Sequence, residues 1–113
     1  MEFTERCYSV LLVSSSPKFN ESMLALLPES RFYPVTAVSD VSSARRRLLE
    51  SKYDIVIINA PLPDDFGTRF AIDACNQSGT VALLLAKSDV YDEVEAKLTC
   101  QGVFTLAKPT SAL

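Results

Sequence analysis

The chain has 113 residues, of which 48% are hydrophobic and 22% charged, and its formal net charge is −3. This length suits one domain with a buried core and is too short for two. The negative net charge argues against direct binding of nucleic acid, because clustered Lys and Arg mediate such binding. The apolar runs are far shorter than the ~20 residues that cross a bilayer. Because the amino terminus lacks the apolar core of a signal peptide, we expect a cytoplasmic protein that binds no membrane.

The first strand and helix are predicted from an apolar run followed by capping residues. Ser9–Val13 is continuously apolar, as expected for a strand covered on both faces. The serines at 14–16 can cap a helix, and Pro17 suits a first helical turn. We predict a helix that ends before Pro28 and carries on one side Phe19, Met23, Leu26 and Leu27.

The second strand and helix follow the same logic. Phe32–Val38 predicts an edge strand, because Pro34 removes one hydrogen-bond donor from the ladder. Ser39 or Asp40 can cap a second helix, whose apolar positions are Val41, Ala44, Leu48 and Leu49. This helix also carries the basic cluster Arg45, Arg46 and Arg47, which we interpret as a solvated helix face.

The third strand is the most hydrophobic one, Asp54–Asn59, and is predicted to lie at the centre of the sheet. It leads into a loop at 60–67, in which Asp64 and Asp65 are expected to cap the next helix. That third helix carries on its apolar side Phe66, Phe70, Ala71 and Ala74.

The last predicted elements are two strands that flank a helix. The strands are Val81–Leu85 and Val103–Leu106, and the helix between them begins at Ser88 or Asp89 and stops near Gly102. The alternation of strands and helices predicts an α/β fold, a doubly wound five-stranded parallel sheet with helices on both faces. One more helix would normally follow the fifth strand. We therefore expect residues 1–113 to be a fragment of a longer protein, or a domain whose bare sheet face is covered by a neighbour.

Several kinds of chemistry are excluded by composition. Histidine is absent, and the three cysteines at 7, 75 and 100 are far apart, with no Cys-x-x-Cys pair. These features exclude zinc sites with Cys/His spacing and His-dependent catalytic triads. We expect no bound cofactor and no metal.

Two segments carry a family resemblance. In a doubly wound sheet, ligands bind at the carboxyl ends of the strands. The strand and loop at 54–67, with Pro63 and Gly67 in register, resemble the strand-three motif of response-regulator receiver domains. The segment at 102–109 resembles the closing Lys-Pro motif of the same family. The resemblance implies a flavodoxin-like sheet of strand order 2-1-3-4-5 and a cis Lys108–Pro109 bond.

The chain departs from the receiver pattern at the chemical positions. Asn59 stands where receivers have the aspartate that accepts the phosphoryl group, and Ser14 and Ser15 stand where an acidic pair holds magnesium. Leu85, followed by Ala86, replaces the Thr or Ser that contacts the phosphoryl group, and Thr105 replaces an aromatic switch residue. Of the chemical positions only Lys108, followed by Pro109, keeps the residue of the family.

These substitutions predict a site without phosphoryl chemistry. An amide is a poor nucleophile, and magnesium prefers anionic oxygen ligands. The formal charges of three carboxylates and one lysine at a standard receiver site sum to −2, whereas those of the residues at the same positions in this chain sum to +1. The remaining pocket is interpreted as an inert polar cluster in which Asn59 accepts a hydrogen bond from Lys108. A site for a small anion is the alternative.

The leading functional hypothesis is a pseudo-receiver, a signalling domain that is not an enzyme and acts by protein–protein interaction. It is expected to self-associate through Asp89–Thr105 or to bind another signalling protein, and to control an output domain beyond residue 113. The closing motif resembles bacterial regulators with an ANTAR-type, RNA-binding antitermination domain. One alternative is a phosphoaccepting two-component response regulator with an atypical site. Another is a small-molecule module similar to flavodoxin, although the serines at 14–16 lack the glycine of a phosphate loop.

Overall fold

The computed structural model describes residues 7–77, 79–87 and 102–108. These residues form five strands and three helices that alternate along the first three quarters of the chain. The elements are β1 Tyr8–Val13, α1 Pro17–Leu26, β2 Phe32–Val38, α2 Val41–Glu50, β3 Ile55–Asn59, α3 Thr68–Cys75, β4 Val81–Lys87 and β5 Phe104–Lys108.

The five strands form one parallel sheet in the order β2-β1-β3-β4-β5. This order confirms the predicted doubly wound, flavodoxin-like topology. The chain leaves β1 toward one edge and returns through β3 toward the other, so the switch in strand order lies between β1 and β3. Ligand sites in such sheets lie beside this switch, at the carboxyl ends of the strands.

Side chains alternate between the two faces of the sheet and form two separate cores. The larger core holds α2 and α3 against the sheet and includes Leu11, Ile58, Leu84 and Phe70, each at most 1% exposed. The smaller core lies on the opposite face, where Val10, Leu12 and Ile57 are buried beneath α1. The described part of the chain therefore covers one face with two helices and the other with one.

The first two helices begin as their sequences predict. The Ser16 hydroxyl accepts a hydrogen bond from the Phe19 amide, and Pro17 occupies the first turn of α1. Asp40 caps α2, with its carboxylate accepting from the Ser43 amide at 2.8 Å. The hydrogen bond from Ser43 lowers the pKa of Asp40 below 3.8. This cap stabilises the fold above the unfolded pKa and is lost as the pH falls through the lower folded pKa.

Several boundaries differ from the prediction. β4 continues through Lys87 and β5 through Lys108, because the ladder between them runs on as far as the Lys87–Lys108 pair. α3 begins at Thr68, directly after the predicted loop at 60–67, so Phe66 lies in that loop and not on the helix; Gly67 adopts a φ of 106° at the helix start. A Cβ at Gly67 would lie 3.0 Å from Ile58 Cγ2, so both the backbone and the packing require glycine there.

Two predictions concern residues that the structure does not describe. The fourth helix and the cis Lys108–Pro109 bond lie outside the described residues. None of the described helices is both long and apolar enough to span a membrane.

Candidate functional site

The carboxyl ends of β1 and β3 bring Ser14 and Asn59 together. Asn59 Nδ2 donates a hydrogen bond to Ser14 Oγ at 3.2 Å, and the Ser16 amide donates to the same oxygen at 3.1 Å. Ser14 is 2% exposed and Asn59 8%. The two residues at this edge of the sheet are therefore buried, uncharged and hydrogen-bonded to each other.

The side-chain oxygen of Asn59 differs in its hydrogen bonding from the side-chain nitrogen. Oδ1 is shielded from solvent and has no hydrogen-bond partner among the described residues. A buried acceptor without a donor is unfavourable by about 1–3 kcal/mol, so a donor beside this atom would stabilise the domain.

The other sequence-predicted site residues fall into two groups by face. In the parallel ladders Leu85 pairs with both Asn59 and Leu106, so all three lie on the α1 face of the sheet. Lys108 follows Leu106 by two residues in β5 and therefore occupies a position of the same face. The predicted contact between the Lys108 side chain and Asn59 lies outside the described residues and stays a prediction.

Ala86 and Thr105 lie on the opposite face. Ala86 is buried in the larger core beside α3, and Thr105 pairs with Leu84, which belongs to the same core. Ala86 and Thr105 therefore lie on the face of the sheet opposite Asn59, because neighbouring residues of a strand point to opposite faces. Ser15 is exposed, in contrast to Ser14. Pro109 and most of the Asp89–Thr105 region lie outside the described residues.

Asp64 has a different role from the one predicted. Its two carboxylate oxygens accept hydrogen bonds from the Val41 and Ser42 amides at 2.9 and 3.0 Å, so it caps α2 and not the helix that follows it. Asp65 does act at the start of α3, where its carboxylate accepts from the Gly67 amide. The loop that follows Asn59 is thus tied to α2. Sequence reasoning missed this contact because the two segments lie 22 residues or more apart.

Replacing Asp64 with alanine is expected to lower the free energy of unfolding by about 1 kcal/mol, since two helix amides lose a charged acceptor. Urea unfolding measures the loss, and amide hydrogen exchange should become faster at Val41 and Ser42. Asp64→Asn is the matched control, because it keeps one acceptor oxygen and should lose less. Equal stability of the alanine variant and the native chain would contradict the assigned role.

The basic cluster of α2 is partly engaged in contacts with α3. Arg45 Nη1 lies 2.9 Å from Asp73 Oδ2, and its guanidinium lies 5.5 Å from the centroid of the Phe70 ring. Arg69 approaches the other carboxylate oxygen of Asp73 at 3.3 Å. Arg46 and Arg47 are exposed. The cluster therefore contributes to helix packing as well as to the solvated face that its sequence predicts.

The donor atoms at the site do not suit magnesium. Mg²⁺ prefers six oxygen ligands with anionic carboxylates among them, and loses its water reluctantly. The residues in the acidic-pair and acceptor positions supply two hydroxyls and one amide, and the Ser14 hydroxyl already accepts two hydrogen bonds. Within residues 7–77, 79–87 and 102–108 there is no group of three or more His, Cys, Asp or Glu side chains placed to hold a metal ion.

Comparison with solved structures gives a consistent result. The signal receiver domain of an HD domain-containing protein from Pseudomonas fluorescens Pf-5 is 24% identical with a TM-score of 0.75, and the match covers 93% of this chain and 77% of that one. The chemotaxis response regulator CheY4 of Vibrio cholerae is 20% identical with a TM-score of 0.76, over 91% and 88% of the two chains. The beryllofluoride-activated NtrC4 receiver domain dimer is 20% identical with a TM-score of 0.76, and the match covers 91% of this chain and 85% of that one.

No protein-family profile and no curated protein matches the sequence. The solved structures that it resembles are response-regulator receiver domains, at 24% identity or less in these three comparisons. The sheet order and the order of the helices along the chain agree with this likeness. The chain has the fold of a CheY-like receiver domain.

Proposed function

We propose that this chain is a non-phosphorylatable receiver-like signalling domain, which acts in the cytoplasm by binding a second protein or another copy of itself. Under this proposal the domain is not an enzyme. The observation that supports the proposal most directly is the hydrogen bond between Ser14 and Asn59. A neutral pair occupies the place where a phosphoacceptor site requires a carboxylate nucleophile and a bound metal.

Electrostatics supports the same reading. Two unit charges ~4 Å apart interact by roughly 4 kcal/mol at an effective dielectric constant near 20. Changing three carboxylates to two hydroxyls and an amide removes three such attractions to a divalent cation. Lys108 then makes the local formal charge positive, which disfavours a metal and leaves its ammonium group as a donor for Asn59 Oδ1.

The output of the domain follows from this proposal. A receiver that cannot be phosphorylated must pass on a signal through binding, and the NtrC4 receiver domain was solved as a dimer. We place self-association, or contact with another signalling protein, at the Asp89–Thr105 region. We further propose that residues 1–113 form the N-terminal part of a longer regulator whose output domain is of the ANTAR type and binds RNA.

The test is incubation with acetyl phosphate and MgCl2, followed by intact mass measurement. The expected result is no gain of a phosphoryl group, while a receiver with an intact aspartate is labelled in the same buffer. A stable adduct on Asn59 or on another residue of this domain would instead support the alternative, a phosphoaccepting response regulator with an atypical site.

A further inference from the structure

One side of α2 and the adjoining side of α3 form a basic surface. Residues three or four apart on a helix are neighbours, so α2 carries Arg45, Arg46 and Leu49 in one stripe. α3 adds Arg69, which lies beside Asp73. We call Arg45, Arg46, Leu49 and Arg69 the α2–α3 surface. All four are exposed, Leu49 to 88% and the side chain of Arg69 to 75%.

Two guanidinium groups of this surface are held in place by Asp73. Arg45 Nη1 lies 2.9 Å from Asp73 Oδ2, and Arg69 Nε lies 3.3 Å from Asp73 Oδ1. The Arg45 guanidinium also lies 5.5 Å from the centroid of the Phe70 ring. A guanidinium carries several N–H donors, so each arginine keeps donors beyond the one directed at Asp73. Because the two groups are already positioned, less side-chain entropy is lost when an anionic group binds them.

Charge is distributed unevenly between these two helices and the rest of the chain. α2 and α3 together contain four arginines and two acidic side chains, which gives a formal charge of +2. The whole chain has −3, so the residues outside these helices carry −5. An acidic segment of another protein is therefore attracted to this surface and repelled by the remainder, which orients the encounter. A nucleic acid, with a charge on every phosphate, would be repelled by most of the domain.

An apolar side chain stands next to these charges. Leu49 follows Arg45 by four residues, so the two side chains are neighbours on α2. Leu48, Leu49 and Gln77 line an open groove near the carboxyl ends of α2 and α3. A large apolar side chain in this groove would shield Leu49 from water, which favours association. The surface therefore combines charge recognition with one apolar contact.

We propose that the α2–α3 surface docks an acidic segment of a partner protein. Two neighbouring carboxylates of the segment bind the guanidiniums of Arg45 and Arg69, since a carboxylate matches the planar fork of N–H donors. A large apolar side chain two or three residues further along the segment packs on Leu49, and Arg46 adds a third positive charge. The inference goes beyond the proposed function, which places contacts at Asp89–Thr105, because it assigns a second surface and the chemistry of its partner.

The test uses a fluorescent 12-residue peptide whose central run is Glu-Asp-Asp-Ala-Leu-Phe. A peptide in which Gln and Asn replace every Glu and Asp is the control probe. Expected results are one-to-one binding of the acidic peptide in fluorescence anisotropy and amide NMR shifts confined to α2 and α3. The neutral peptide should bind at least about tenfold more weakly, because its amides make weaker hydrogen bonds to the guanidiniums. Added salt should weaken the acidic peptide and leave the neutral one unchanged.

Variants of the two helices separate direct contact from general attraction. Arg45→Gln with Arg69→Gln should weaken binding of the acidic peptide at least about tenfold, because both partners of its carboxylates are lost. Arg46→Gln changes an exposed residue, so it tests the surface even if the double variant does not fold, and it should weaken binding about threefold. Arg47→Gln is the matched control. It removes the same charge from another side of α2, so its effect should be below about 1.5-fold at physiological ionic strength.

Several outcomes would overturn the proposal. The acidic peptide could fail to bind or bind no better than the neutral one, or Arg46→Gln and Arg47→Gln could weaken it equally. Tighter binding of a 12-nucleotide single-stranded RNA would identify nucleic acid as the occupant. A concentration-dependent dimer in analytical ultracentrifugation, abolished by the Arg45 and Arg69 substitutions, would identify a second copy.

These measurements are independent of phosphorylation. They use the native domain without a phosphodonor, whereas labelling by acetyl phosphate reports only on the Ser14–Asn59 site. Failure of the docking proposal and failure of the non-phosphorylatable assignment are therefore distinguished by separate readouts.

Discussion

Replacing Ser14, Ser15 and Asn59 together with aspartate is expected to convert the neutral site into one that binds Mg²⁺. The summed formal charge of residues 14, 15, 59 and 108 changes from +1 to −2, because three neutral residues become carboxylates beside one lysine. Each new carboxylate near a divalent cation is worth several kcal/mol at short range, so Mg²⁺ affinity should rise by roughly a hundredfold or more, about 3 kcal/mol. Isothermal titration of Mg²⁺ into the triple variant and the native chain measures the difference.

The same variant makes a second result expected in the absence of metal. Ser14 and Asn59 are 2% and 8% exposed, so two of the new carboxylates would be buried close together. Their desolvation and mutual repulsion should lower the Tm, and Mg²⁺ should restore it because only the folded state binds the ion. Ser15→Asp alone is the control, since Ser15 is exposed and should change little. A triple variant whose Tm does not respond to Mg²⁺ would contradict the charge argument.

Replacing Phe70 with alanine is expected to lower the free energy of unfolding by about 3–5 kcal/mol. Phe70 is 1% exposed within the larger core, and its ring also supports the Arg45 guanidinium that links α2 to α3. The substitution leaves a cavity and removes that support at the same time. Urea unfolding, followed by circular dichroism, provides the measurement.

Phe104→Ala is the matched control for Phe70→Ala. It removes the same side chain from a position that is 64% exposed, so the loss should be below about 1 kcal/mol. A similar loss in both variants would show that the larger core is not organised around Phe70 as described.

Much of the fold follows from local patterns in the sequence. The apolar runs of β1 and β3 identify strands covered on both faces, and Pro34 correctly marks β2 as an edge strand. Serine and aspartate before α1 and α2 give the helix starts, because their side chains bind the first free amides. These features involve residues only a few positions apart, which is why the sequence is sufficient for them.

The parts that were mispredicted depend on contacts between distant segments. Asp64 caps α2 because the loop after β3 passes over the start of that helix, and no spacing along the chain indicates this. The ends of β4 and β5 depend on how far their ladder continues. The face on which Ala86 and Thr105 lie, opposite Asn59, follows from the register of β4 and β5, which motif alignment along the chain does not give.

The Ser14–Asn59 contact lies between these two cases. The motif alone predicts that both residues stand at the receiver-like centre, and the structure adds that they hydrogen-bond at 3.2 Å. The donor that we propose for Asn59 Oδ1 is Lys108, of which the sequence provides the residue type. The proposed function of this site depends on its formal charge, which can be read from the sequence.

An amide NMR titration of the native domain with MgCl2, and then with beryllofluoride, tests most directly whether the pocket has lost its affinity for a metal and a phosphoryl group. We expect the amide signals of Ser14, Asn59 and Ala60 to stay in place at millimolar Mg²⁺ and after beryllofluoride is added. Saturable shifts at these residues, with a divalent ion seated between the ends of β1 and β3, would contradict it.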